Sequence, residues 1–387
     1  MEENNSFDEI RPFRDCEVEA VIDSLCRVPY FIRVLSKIVP WAPVEVVVAK
    51  LRSVKTVEEF QHGFVIPYLK GLIDKTTDGL TASGLEGLDP SGGYLFLSNH
   101  RDIILDSALM NVKLDEAGFS TTEIAIGSNL LIYEWIVDIV KLNKSFVVKR
   151  GMPVRQQMAA SMTLSQYVRD RIVSGKSNIW IAQREGRSKD GDDHTQGSVL
   201  KMLNLSGKGD LLHNFEQLNI VPVAITYEYD PCDALKAYQF QQKRDNPDYK
   251  KSEDEDLTHM STGLSGRKGR VHFAFGKPVN AELPALRGLS KNEQIAALAQ
   301  IIDKSIYSNY RIFENSYAAL DILEGTTARA AHYSDEQKAG FLRYIDEKIG
   351  ALGPDADADF LRGQMLRAYA NPLINQEGAR KTETTTK

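Results

Sequence analysis

The stretch YLFLSNHRDIILDSALM, residues 94–110, changes character partway along. An apolar run, Tyr94 to Leu97, ends in Asn99 and His100, and Asp102 and Asp106 then flank aliphatic residues that open a helical pattern. A short apolar run followed by helical periodicity predicts a strand-to-helix corner. A side chain just past a buried strand stands at the carboxyl edge of an α/β sheet, where sites in such sheets form. An imidazole, with an ordinary pKa of about 6.5, is the natural base at neutral pH. A carboxylate on its other nitrogen fixes the tautomer and stabilises the imidazolium. General-base help of this kind contributes roughly 10²–10⁴-fold. The plainer reading is that Asp102 caps a helix starting near Ile103, Asn99 makes the turn, and His100 is incidental.

Outward from this corner, short apolar runs at 94–97, 123–126, 145–148, 178–182 and 220–226 read as buried strands, and 271–275 as a further alternating one. Helical patterns at 103–112, 129–142 and 154–173 separate several of them, which predicts an α/β fold with a largely parallel central sheet flanked by helices. Residues 1–77 read as an N-terminal unit of two to four helices, with Pro29 and Pro40 marking breaks or first turns. The α/β domain spans 78–285, C-terminal helices fill 286–376, and the polar stretch 377–387 reads as a disordered tail. Residues 241–270 are poor in apolar side chains and read as a mobile flap or an insertion.

Two other strands end in basic residues. Phe146-Val147-Val148 runs into Lys149-Arg150-Gly151, and Ile179 to Ala182 into Gln183-Arg184-Glu185-Gly186-Arg187-Ser188. Glycine permits a sharp turn, and arginine presents forked donors to an anion. Three strands finishing in His/Asp, Lys/Arg/Gly and Arg/Glu/Gly/Arg at one sheet edge point to a base beside an anion-binding pocket.

In these residues the chain resembles the glycerolipid acyltransferases (glycerol-3-phosphate and lysophosphatidate acyltransferases), with four blocks in order across roughly residues 84 to 280. The family's Asn-His with a following Asp corresponds to Asn99-His100 and the aspartates after it, and its strand ending in basic residues and Gly to 146–151. The family's Pro-Glu-Gly-Thr-Arg-Ser corresponds to Arg184-Glu185-Gly186-Arg187-Ser188, and a strand with a Val-Pro-Val core to Val221-Pro222-Val223. The segment 305–323 also resembles a tail of some bacterial members. The resemblance implies transfer of a fatty acyl group from acyl-CoA or acyl carrier protein, as co-substrate, to a hydroxyl of glycerol-3-phosphate or lysophosphatidate. His100 would take the hydroxyl proton; Lys149, Arg150 and Arg187 would hold the acceptor's anionic head. Glu185 and Gly186 would shape the turn, with Glu185 pairing an arginine or bonding an acceptor hydroxyl; Asn99, Arg101, Gly151, Arg184 and Ser188 would complete the acceptor site, and Pro222 would restrict the backbone where the acyl channel passes. No metal or tightly held cofactor is needed.

Two departures stand out. The family's aspartate lies five residues after the histidine; here Leu105 holds that place and Asp106 follows it. Either the turn absorbs the extra residue and Asp106 orients His100, or Asp102 reaches back; Asp106 is preferred because Asp102 has a competing capping job. The third block lacks the Thr and carries Arg184 in place of Pro, which opens the acceptor's identity to another head group, such as an amino-acid lipid. Two further alternatives are a non-catalytic lipid- or carrier-binding relative and a thioesterase-like hydrolase.

The remaining features exclude other classes. A formal net charge of −6 argues against a general nucleic-acid binder. Cys16, Cys26 and Cys232 are too few and scattered for a disulfide framework. The acidic N-terminus is no signal peptide, and no stretch reaches the about 18 uninterrupted apolar residues of a membrane span. The expected location is the cytoplasm, with peripheral contact at the inner membrane face. The acidic run around His194 matches no full metal-ligand set.

Overall fold

The computed structural model describes residues 7–385 except 40, 41 and 176; Pro40 therefore lies outside the described residues. Helices α1 (Asp15–Leu25), α2 (Pro29–Ile38), α3 (Val44–Arg52), α4 (Val57–Phe60) and α5 (Ile66–Thr76) precede the sheet, a π-helical turn at Gln61–Val65 joining the last two. The alternating region then runs β1 (Thr77–Ser83), β2 (Leu95–Ser98), α6 (Leu105–Glu116), β3 (Glu123–Gly127), α7 (Glu134–Leu142), β4 (Ser145–Val148), α8 (Val154–Val173) and β5 (Ile179–Ala182). Next come α9 (Gly197–Asn204), α10 (Leu211–Glu216), β6 (Ile220–Tyr227), α11 (Asp233–Asp245), α12 (Glu253–Ser265) and β7 (Gly269–Phe275). Helices α13 (Lys291–Ser308), α14 (Glu314–Glu324), α15 (Asp335–Gly350) and α16 (Ala358–Thr385) close the chain.

The seven strands form one sheet in the order β1-β7-β6-β2-β5-β3-β4. Every pair is parallel except β6 with β7, so the sheet is mixed rather than wholly parallel. Strand β2 sits between β5 and β6, and its four residues are all buried, which is why its sequence is a continuous apolar run. Its pleat divides the core. Leu95 and Leu97 pack with α8, α9, α10 and α13 on one face, whereas Phe96 packs with α5 and α6 on the other. Pro222 lies in the buried strand β6, opposite Leu97. Its carbonyl accepts from Gly276 N at 2.8 Å, one position past the last registered β6–β7 pair, Val223 with Phe275. The missing N–H points the same way as that carbonyl, so it leaves the bonds to β2 intact and falls where the β6–β7 ladder ends.

Two further helical clusters have cores of their own. Helices α1–α4 pack together and against Leu142 of α7. Helices α11, α14, α15 and α16 form the other, anchored by the buried Asp233, which accepts from the Tyr344 and Tyr369 hydroxyls at 2.8 and 2.6 Å.

Two expectations need correction, and one strand was not expected. The N-terminal helices number four when α4, the π-helical turn and α5 are taken as the one continuous helix they form. Strand β1 was not legible, because TDGLTAS is a half-exposed edge strand with little apolar content. The segment 241–270 is no flap: α11 extends to Asp245, and α12 follows under a capping box of Ser252 and Glu255. The polar stretch from 377 continues α16 as far as Thr385, because Gln376 and Ala379 are buried and Gln376 Nε2 donates to Tyr310 O at 2.6 Å. Among the described residues no helix is long and apolar enough to cross a membrane.

Burial, with Asp230 nearby, raises the Asp233 carboxyl from 3.8 to about 6, against the opposing pull of Lys348 and the two tyrosines. A raised acid pKa stabilises the fold below about pH 4, and that contribution is lost as pH rises through about 6. The displacement corresponds to roughly 3 kcal/mol. Asp233→Asn should therefore gain stability relative to the native chain across that window, seen as diverging urea midpoints; parallel midpoints would contradict the assignment.

Candidate active site

His100 leaves the end of β2 and lines a cavity of about 1230 Å³ at the carboxyl ends of β2, β5, β3 and β4. Its Nδ1 lies 2.8 Å from Asp106 Oδ2. Arg101 N and Asp102 N donate to the same oxygen at 2.6 and 3.0 Å, and the Tyr227 hydroxyl donates to Oδ1 at 3.1 Å. Asp106 is fully buried, and these donors are what make a carboxylate tolerable there. A carboxylate only accepts, so the ring hydrogen sits on Nδ1 and the free lone pair on Nε2. His100 is 14% exposed and packs edge-on to Trp180, ring centroids 5.6 Å apart.

The two aspartates divide the work. On a continuous helix the additional residue would rotate the carboxylate by about 100°. Helix α6 begins only at Leu105, so the turn 99–104 takes up the residue and Asp106 reaches back to the ring. Asp102 instead accepts from Ile104 N and Leu105 N at 2.9 and 2.8 Å, capping α6. Burial and the adjacent Asp106 raise its pKa. Helix α12 presses on it so closely that a Cβ at Gly263 would lie 2.1 Å from Asp102 Oδ2.

The turn is held from several sides. Asn99 Nδ2 donates to Ile225 O at 2.9 Å, and its Oδ1 accepts from Ile225 N at 2.7 Å, which ties the corner to β6. Ser188 N donates to His100 O at 3.0 Å. The nearly buried Lys236, ion-paired with Asp230, donates to Arg101 O at 2.7 Å.

Of the residues singled out from sequence, His100, Lys149, Arg150, Gly151, Arg184, Glu185, Gly186 and Arg187 line the cavity, and Asn99, Arg101, Ser188 and Pro222 do not. Lys149 pairs with Glu9 and Arg150 with Glu185 on the exposed rim. Gly151 and Gly186 adopt φ of 68° and 71°, as their turns require. Arg184 is 3.6 Å from the buried Asp193. Burial works against the charge of Arg101, but Asp193, Tyr310 and Asp230 outweigh it and raise its pKa. Ser188 is buried, donating to Asp190 Oδ1 at 3.2 Å and accepting from Gly191 N at 3.0 Å.

The cavity has two characters. Ile136, Ile139 and Val140 of α7, Ile126 of β3 and Ala159 and Ala160 of α8 give it an apolar arm. Elsewhere eight basic and only three acidic side chains line it, although the whole chain is net negative. An apolar arm next to a base and a cationic region suits a ligand with a greasy chain and an anionic head. Tyr227, Trp180, Lys236 and the α12 side chains Asp256 and Met260 were missed from sequence. Trp180 reads there only as a strand residue, Tyr227 lies just past the run 220–226, and the others lie far from the motifs.

Among the described residues no group of three or more His, Cys, Asp or Glu side chains is arranged to hold a metal. His194 instead meets the Tyr307 hydroxyl at 2.8 Å and Asp192 at 3.1 Å.

No family model matches the chain, and no curated protein matches it. Among solved structures it is similar to the 1-acyl-sn-glycerophosphate (LPA) acyltransferase PlsC from Thermotoga maritima, with 14% identity over 76% of this chain and 91% of that one, at a TM-score of 0.37.

Asn99→Ala leaves a buried N–H and a buried carbonyl of Ile225 without their partner, at roughly 1–3 kcal/mol each. Urea unfolding should show a loss of that order, and a loss below about 1 kcal/mol would show that Asn99 does not tie β2 to β6.

Proposed function

We propose that the chain is an O-acyltransferase of lipid synthesis. The observation that carries this reading is the His100–Asp106 pair, with Nε2 unencumbered, inside a cavity that joins an apolar arm to a cationic region. The four ordered sequence blocks support the same reading. Glycerol-3-phosphate or lysophosphatidate is the favoured acceptor, and acyl-CoA or acyl carrier protein the donor. The altered third block keeps acylation of another head group, such as an amino-acid lipid, as the alternative within the same chemistry.

In the proposed reaction the acyl chain lies in the apolar arm, and the acceptor's anionic head lies among the basic side chains. His100 Nε2 takes the proton of the acceptor hydroxyl as its oxygen attacks the thioester carbonyl. Asp106 holds the ring and balances the imidazolium. Donors of the cavity wall stabilise the tetrahedral oxyanion. The intermediate collapses to the ester, and the departing thiolate takes the proton from His100.

Incubation with acyl donors and a panel of acceptors, read by mass spectrometry, tests this. The native chain should form an ester whose yield depends on the acceptor. His100→Ala should lower kcat/KM by roughly 10³-fold or more and Asp106→Asn by roughly 10²-fold or more, with the fold intact. Asp102→Asn should keep most turnover, since asparagine also caps a helix. Release of free fatty acid indifferent to every acceptor would replace transferase by hydrolase, and full activity in His100→Ala would remove the mechanism.

A further inference from the structure

The two oxygens of Asp106 carry unequal loads. Oδ2 accepts from the His100 ring, Arg101 N and Asp102 N, all groups of one turn. Oδ1 has a single partner among the described residues, the Tyr227 hydroxyl at 3.1 Å, which reaches it from the end of β6, 121 positions further along the chain. Asp106 is fully buried, so without that hydroxyl Oδ1 would face the interior bare. A carboxylate only accepts, so the hydroxyl donates. Burial, followed by the charges of Asp106 and Asp102, raises the Tyr227 pKa well above its ordinary value and keeps the donor hydrogen in place.

Tyr227 is the last residue of β6, registered against Val271 of β7, and lies in the core that holds Phe96, Leu105 and Leu109. A ring packed there keeps its hydroxyl in one place. The tie between β6 and the turn does not need it, because Asn99 makes that tie twice through Ile225. What the hydroxyl adds is a donor aimed at the charge. The other charged groups about the pair are Arg101 and Asp102 on its own turn, Asp193 after β5, and Asp230 and Lys236 after β6. Arg187 and Lys268 act on Asp102. Among the described residues none of these donates to Oδ1. A hydrogen bond to the charged form of an acid favours that form. Imidazole and carboxylate in contact titrate as a pair, so a donor on the far oxygen lowers the pH at which the pair takes up its proton.

We propose that Tyr227 is a positioning residue of the His100–Asp106 pair: its hydroxyl holds the negative charge on Asp106 and so sets the pH below which His100 no longer acts as a base. The bond draws charge toward Oδ1 and away from Oδ2, the oxygen that meets the ring, and Nε2 stays bare to lower pH. The consequence for turnover rests on the acyl-transfer reading, but the effect on the ring does not.

Magnetic resonance of histidine-labelled full chain, with the His100 signals assigned through His100→Ala, follows the ring's titration without turnover. Tyr227→Phe should raise the midpoint by roughly half a unit to one unit, and the acid limb of the kcat/KM profile should move up with it. A ring-fluorinated tyrosine at that position is a stronger donor and should move both the other way. Asn99→Ala loosens the same strand contact without touching Asp106, and should lower stability while leaving the midpoint in place. A midpoint unmoved or lowered in Tyr227→Phe, with native circular dichroism, overturns the proposal, as does an equal shift in Asn99→Ala. Should Tyr227→Phe not fold, the fluorinated chain decides, and an unmoved midpoint there overturns it. The expected ring shifts in a chain that forms no ester would keep the role of Tyr227 and lose the reaction. Ester formation with unmoved midpoints would do the reverse.

Discussion

The buried carboxylate of Asp106 is the constraint on which the site depends. It gathers four donors, the His100 ring, two backbone amides of the same turn and the Tyr227 hydroxyl from β6. A carboxylate in such a place is costly without partners, so the turn, the ring and β6 are fixed together or not at all. Asn99 repeats the connection to β6 through Ile225, and Lys236 holds the turn from the C-terminal layer. The geometry of the base is therefore set by contacts from distant parts of the chain rather than by local sequence alone.

Around this centre the layers have distinct tasks. Helix α7 lines the apolar arm with Ile136, Ile139 and Val140 and meets the N-terminal helices through Leu142, so that unit backs the arm. Helices α11 and α12 close the polar side, Lys236 and Gln239 from one and Asp256 and Met260 from the other. A net-negative chain thereby keeps a basic cavity wall beside His100, which concentrates its attraction for anions there.

Much of this was legible from residue patterns, and the exceptions have physical causes. Buried strands such as Leu95–Ser98 and Ile220–Tyr227 are visible as apolar runs because both faces are covered. The His100 corner and the basic ends of β4 and β5 followed from those strands. The antiparallel direction of β7 was not legible, since an alternating strand carries no sign of its neighbours' direction. Strand β1 was missed because it is a half-exposed edge strand with little apolar content. Arg101 reads as a site cation but does not line the cavity, and the charges that act on it most belong to Asp193, Tyr310 and Asp230, far away in sequence. The same distance hid Tyr227 and Lys236. Helix α12 carried a cue in its capping box, outweighed by its charged composition.

The account's central claim is that Asp106 holds His100 with the hydrogen on Nδ1 and the lone pair of Nε2 turned to the cavity. Nitrogen-15 chemical shifts of the ring in histidine-labelled protein, above the titration of the imidazole, report this most directly. The account predicts a protonated Nδ1 and a bare Nε2 in the native chain, lost in favour of a mixture of tautomers in Asp106→Ala. A native ring protonated on Nε2, or one unmoved by that substitution, would contradict it.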